Sequence, residues 1–212
     1  MARGLFITVE GVEGVGKSTN MDFMAGRVSA AGFEVLRSRE PGGTPMAERI
    51  RDMLLEHGDE PLPDLAELLL FFASRTLHIE NAIRPALNAG TWVICDRFTD
   101  ASRAYQGVGR GLGLDRVNTL AQWVHGDLNP DMTLLLDAPA ELGMRRAHRR
   151  GATDRLESEQ ISFYSRVRAQ YLALARAEPA RFVVVDASQP LVEVQQQIGA
   201  AVDRLISSRN NI

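Results

Sequence analysis

Lys17 is the only lysine in this chain of 212 residues; the other 23 of its 24 Lys and Arg positions are arginine. It stands inside Gly11-Val12-Glu13-Gly14-Val15-Gly16-Lys17-Ser18, a complete G-x-x-x-x-G-K-[ST] pattern. A compact ammonium on a flexible stem lies along such a loop as a point charge between phosphates, a role that a planar guanidinium fork does not fill. The glycines let consecutive backbone N–H groups form an anion nest, and the helix that follows aims its positive end at the same phosphates. The segment Gly11, Val12, Glu13, Gly14, Val15, Gly16, Lys17, Ser18 and Thr19 is therefore predicted to hold nucleotide phosphates, with the Ser18 hydroxyl offered to Mg²⁺. Glu13 is the odd member. A carboxylate facing phosphates is repelled by them, so it either has a specific task or points to solvent.

The flanks suit the motif: Leu5 to Val9 reads as a buried strand and Ser18 to Ala31 as a helix. Four further apolar runs, Glu34 to Arg39, Trp92 to Asp96, Met132 to Asp137 and Phe182 to Asp186, alternate with helical patterns near 44–56, 64–89, 114–125, 139–149, 157–178 and 190–207. That alternation predicts an α/β fold of the P-loop NTPase type, three layers with a parallel sheet of about five strands covered by helices on both faces. Ligands then belong at the carboxyl edge of the sheet, where strands end in Glu10, Asp96, Asp137 and Asp186. One domain over 1–212 is expected, with no internal repeat and a frayed tail from Ser207 to Ile212.

With 45% hydrophobic and 24% charged residues the composition is that of an ordinary globular protein, and a net charge of −3 argues against broad binding to nucleic acid or anionic membrane. A small phosphorylated substrate fits better. Cys95 has no second cysteine to pair with, and the apolar run from Leu65 to Ala73 is too short to span a bilayer. A reducing cytoplasm is the expected location. Four scattered histidines offer no metal cluster, so Mg²⁺ is expected rather than zinc.

The phosphate loop by itself is shared by GTPases, ATPase motors and small-molecule kinases. A guanine-reading N-K-x-D needs a second lysine, which is lacking, and neither Asp96 nor Asp137 continues as D-x-x-G. Arg39-Glu40-Pro41-Gly42-Gly43-Thr44, Asp96-Arg97-Phe98, Tyr105-Gln106-Gly107 and the arginine-rich segment Arg145 to Arg155 follow one another in the order and spacing of thymidylate kinases. Over nearly its whole length the chain resembles that family, in the bacterial form that carries its arginines in a lid rather than in the phosphate loop.

The resemblance implies ATP-dependent phosphorylation of dTMP to dTDP with Mg²⁺, in a homodimer formed through apolar helix faces. It makes Arg39 a ligand of the acceptor's 5′-phosphate and Arg97 a bridge between the two phosphate chains. It gives Asp96 the water-mediated hold on Mg²⁺ beside Ser18, against the plainer reading of a helix N-cap. Phe71 and Arg75, four apart on a helix, read in isolation as a packed ring beside a solvated arginine; the family has the pair grip thymine, with Ser102 and Gln106 nearby and Tyr105 crowding any 2′-hydroxyl. Glu13 is implied to reach the acceptor's 3′-hydroxyl. Gly14 stands where some members carry an arginine. The compensating charge is expected from a lid near 145–157, with Arg150 and Arg155 the closest matches and Arg146 next, although a basic helical run is by itself usually a solvated face. A kinase for another nucleoside or nucleoside monophosphate is the nearest alternative, and a nucleotide-binding module without turnover the more distant one.

Overall fold

The computed structural model describes residues 3–56, 60–148 and 159–210. Among them five strands form one parallel sheet: β1 (Phe6–Glu10), β2 (Val35–Arg39), β3 (Trp92–Asp96), β4 (Met132–Asp137) and β5 (Phe182–Asp186), in the spatial order β2-β3-β1-β4-β5. Successive side chains leave opposite faces of a strand, so the central strands are mostly apolar because both faces are covered, and the buried hydroxyls of Thr8 and Thr133 pair with each other at 2.9 Å. Phe6, Val93 and Cys95 pack with Ile79, Ile83 and Leu87 on one side. Ile7, Val9, Trp92 and Ile94 pack on the other with Met24 and Val28 of helix α1 (Lys17–Ala30) and with Ile198 and Val202 of α9 (Leu191–Asn210).

The sheet places the chemistry. Pairing of β1 with β3 sets Val9 opposite Asp96, and the register of β2 sets Arg39 opposite the same residue. The loops after the first three strands therefore open at one edge. There Arg97 donates its backbone N–H to Val9 at 3.1 Å and Glu40 donates to Asp96 at 2.8 Å.

The remaining helices are α2 (Pro45–Leu55), α3 (Asp64–His78), α4 (Arg84–Asn88), α5 (Thr99–Ser102), α6 (Leu114–Val124), α7 (Ala140–His148) and α8 (Ile161–Ala177). Three differ from the sequence expectation. The helix expected over 64–89 is broken by a π turn at Ile79–Ile83, which ends two residues before Pro85, a residue with no N–H to continue the regular ladder. A second π segment, Arg103–Gly109, continues α5 through a stretch whose Gly107 and Gly109 suggest only loop. A Cβ on Gly109 would stand 2.7 Å from the Phe163 ring, so glycine is what lets α8 approach. The tail expected to fray is helical as far as Asn210, and its last turn is tied down by a hydrogen bond from Arg209 to the Arg3 carbonyl.

His125, just after α6, supports the start of α5. Its Nε2 pairs with Thr99 Oγ1 at 2.8 Å and its ring lies 5.1 Å from that of Phe98. Burial, and then the charge of Arg75, pulls its imidazole down from 6.5 to about 4. The unfolded chain then binds a proton that the folded chain refuses between these values, so stability is complete above pH 6.5 and falls on acidification toward pH 4. Urea unfolding across this range is expected to show that slope in the unaltered chain and a shallower one in His125→Gln.

Candidate active site

The phosphate loop joins β1 to α1 through three glycines in the left-handed or otherwise positive-φ region, Gly11 (φ 137°), Gly14 (73°) and Gly16 (90°). Gly16 caps α1 with no side-chain partner for the helix's first amides, and no acidic residue stands in the first turn. Those amides, the exposed Ser18 and the half-buried Lys17 face a cavity of about 220 Å³. The Lys17 ammonium donates to the Val12 carbonyl at 3.2 Å and to that of Gly11 at 3.4 Å. Burial, and then the neighbouring charge of Arg97, lowers its pKa, against Asp96, Glu13 and Glu10.

Arg97 also lines the cavity, and its φ of 71° is the one positive value at a non-glycine residue among those described. That conformation costs on the order of 1–3 kcal/mol and is held by its surroundings. The next amide, of Phe98, donates to Glu10 Oε1 at 2.8 Å, and the Phe98 ring meets Phe6 edge-on with centroids 5.0 Å apart. The guanidinium is fixed as firmly: it donates to Glu13 at 2.8 Å and to the Tyr171 hydroxyl at 3.2 Å, and it lies 4.7 Å from the centroid of the Tyr105 ring. Tyr171 in turn donates to Glu10 Oε2 at 2.7 Å, so Glu10 grips both the backbone and the side-chain end of this corner. Burial, and then Asp100, pushes the Glu10 carboxyl up to about 8, against Arg97, Tyr171 and the Phe98 amide. Although burial works to lower it, Tyr105, Glu13, Tyr171 and Asp96 hold the Arg97 pKa well above the usual value.

Glu13 turns away from solvent. Its carboxylate accepts from Arg97 and from the Tyr105 hydroxyl, at 2.9 Å and 2.8 Å to its two oxygens. Helix α3 supplies another wall through Phe71, and the second π segment supplies Tyr105 and Gln106. Arg75, one turn beyond Phe71, is 1% exposed and lies behind that wall. It pairs with Glu40 at 2.6 Å and donates to the Phe98 carbonyl and Ser102 Oγ at 3.1 Å each, while its Nη1 has no partner among the described residues.

Not every expected residue reaches the cavity. Arg39 is turned outward to Glu48 at 2.8 Å, and Ser102 is buried behind Arg75. Gly11, Val12 and Val15 shape the loop without lining the cavity, and Thr19 is exposed on α1. Arg146 donates to the Ala187 carbonyl at 2.9 Å, and Arg150 and Arg155 lie outside the described residues. Conversely, Arg51 lines the cavity, with its guanidinium on the Pro41 carbonyl at 2.8 Å, and Glu10 and Tyr171 brace Arg97 from behind. Glu10 was visible as a strand-ending acid; nothing local in the sequence distinguishes Arg51 or Tyr171.

Asp96 caps no helix, since α5 begins at Thr99 with Phe98 in the N-cap position and no side-chain cap. Its Oδ1 is buried and unpartnered among the described residues, at the cavity's edge and within electrostatic reach of Lys17. With the exposed Ser18 hydroxyl it fits a Mg²⁺ ion that keeps most of its coordination for water and phosphate oxygens.

Gly14 shows why no side chain stands there. A Cβ would collide with the carbonyl of Gly143 on α7, and the backbone is left-handed as well. Gly14→Ala is expected to lower stability by at least ~1 kcal/mol, measured by urea unfolding.

The sequence model of the thymidylate kinase family matches residues 9–198. The thymidylate kinase of Methylococcus capsulatus is 53% identical over 207 residues, covering 98% of this chain and 99% of that protein. That of Pseudomonas fluorescens strain SBW25 is 54% identical over 203 residues, covering 96% and 97%. The crystal structure of thymidylate kinase from Ehrlichia chaffeensis superposes with a TM-score of 0.74 at 30% identity, covering 96% of this chain and 99% of that one. A complete phosphate loop and Arg97 lining one cavity, on a fold and sequence shared along almost the entire length, lead to the conclusion that this chain belongs to the thymidylate kinase family.

Proposed function

We propose that the protein transfers the γ-phosphoryl group of ATP to dTMP, giving dTDP and ADP, and that the cavity between the phosphate loop and Arg97 is where the two phosphate chains meet. The observation that carries this reading is that Lys17 and Arg97 line the same cavity, close enough for the charge of one to lower the pKa of the other. An oxygen of the acceptor phosphate forms the new bond to the γ-phosphorus as the bond to the ADP oxygen breaks. That oxygen is already anionic, so no strong general base is required, and catalysis rests on alignment and charge neutralisation.

In this reading the loop amides and Lys17 hold the donor phosphates. Arg97 spans donor and acceptor, and Arg51 adds a cation on the acceptor side; Arg39, paired with Glu48 outside the cavity, is assigned to the acceptor phosphate on sequence resemblance alone. Glu13 meets the acceptor's sugar and Tyr105 closes on its 2′ position, while Phe71 and Gln106 form the base pocket, with Arg75 and Ser102 behind them assigned to it on sequence resemblance. Ser18 and Asp96 would hold Mg²⁺, which supplies further neutralisation of phosphate charge when bound. Arg146, Arg150 and Arg155 are assigned to a lid over 145–157 of a single domain on sequence resemblance. A homodimer is proposed through apolar helix faces, supported by the exposed Leu65 and Leu69 one turn apart on α3, with light scattering as its test. A reducing cytoplasm is proposed on the lone thiol of Cys95; no helix among the described residues is long and apolar enough to cross a membrane.

Lys17→Ala and Arg97→Ala are each expected to fold and to lower kcat at least ~10²-fold, followed as ADP release in the presence of dTMP, ATP and Mg²⁺, with a lower unfolding midpoint in Arg97→Ala because Glu13 loses its buried partner. In a panel of dTMP, dCMP, dGMP and UMP, dTMP should give the highest kcat/KM. Equal use of the four would contradict the base pocket.

A further inference from the structure

Helix α3 presents Glu67, Phe71 and Arg75 at successive spacings of four, which places them along one face. Phe71 lines the cavity, Arg75 lies behind it, and Glu67 is fully buried one turn before the ring. Glu67 Oε1 accepts a hydrogen bond of 2.9 Å from Gln106 Nε2. The carboxylate is ion-paired with Arg110, whose Nε and Nη2 stand 3.4 Å from its two oxygens, and Arg110 is itself held by Glu159 and by Asp64 at 3.6 Å.

The consequence lies in what an amide can present. A carboxylate paired with a guanidinium offers only acceptors, so the Gln106 carboxamide must turn its nitrogen toward Glu67. Its oxygen is then the atom directed elsewhere, and Gln106 lines the cavity beside Phe71. Resting on the proposed reading of that cavity as the acceptor site, we propose that Glu67 is a positioning residue for base specificity: it locks Gln106 as an acceptor toward the ring N3–H of a 2,4-dioxopyrimidine. Cytosine carries a lone pair at N3 and meets that oxygen as acceptor against acceptor. A site built around one such bond discriminates strongly because the wrong base leaves buried polar groups unpaired. A glutamine at position 67 would both donate and accept, freeing Gln106 to present either edge of its amide.

The test compares kcat/KM for dTMP and dCMP in the unaltered chain, Glu67→Gln, Gln106→Ala and the double variant. Glu67→Gln is expected to reduce the dTMP/dCMP ratio by at least ~10-fold, by lowering turnover of dTMP and raising that of dCMP. In the Gln106→Ala background the same change should alter the ratio by less than about 2-fold, because the residue acts through the missing amide. An equal fall for both acceptors identifies a structural role and overturns the assignment. So does an undiminished effect in the Gln106→Ala background. Should Glu67→Gln fail to fold, Glu67→Asp, which withdraws the carboxylate by one methylene, is scored by the same ratio; a smaller ratio supports the assignment and an unchanged one overturns it. An unaltered chain that releases no ADP with dTMP overturns the acceptor reading itself, and this assignment with it. One that prefers dTMP while Glu67→Gln leaves the ratio untouched overturns this assignment alone.

Discussion

The corner at Arg97 is the constraint on which the rest of the site depends. A non-glycine residue held at φ 71° directly after a central strand stores strain, and the fold meets that cost with buried partners on both sides. Phe98 is anchored against Phe6, its amide is taken by Glu10, and the guanidinium is shared among Glu13, Tyr105 and Tyr171. The result is a cation whose direction is set by the protein's own side chains. In phosphoryl transfer this matters more than proton chemistry, because the work is to bring two anions into line.

Three elements converge on that corner for reasons that begin with strand pairing. β1 and β3 are neighbours, so the loop after Glu10 and the loop after Asp96 are brought together without any long excursion of chain. β2 on the other side of β3 delivers the Glu40 turn, whose carboxylate pairs with Arg75 on α3. α8 brings Tyr171 to the back of the site and comes close enough only because Gly109 has no side chain. Packing and chemistry thus use the same residues, and the buried pair of Glu40 and Arg75 ties the helix that lines the cavity to the sheet edge.

Much of this was legible in the sequence, and for identifiable reasons. The phosphate loop carries its chemistry within eight consecutive residues, and the apolar strands are nearly continuous, so the order of elements and the carboxyl-edge location follow from local pattern. The resemblance to thymidylate kinases likewise rested on contiguous motifs. What escaped was long-range or conformational. Tyr171 lies 161 residues from its partner Glu10, and no spacing rule connects them. Arg51 reads as one of many surface arginines on a helix. The π segment at 103–109 is hidden by glycines that suggest a loop, although one of them is there to admit a ring. Arg39 illustrates the opposite limit: its motif is plain, yet its side chain is paired with Glu48 outside the cavity.

The most direct test of the central claim is a crystal structure with dTMP and a non-hydrolysable ATP analogue bound together. The account predicts the acceptor phosphate and the terminal donor phosphate both within hydrogen-bond distance of the Arg97 guanidinium, with the donor chain cradled by residues 11–18. Phosphates bound away from Arg97, or a donor chain that bypasses that loop, would contradict it.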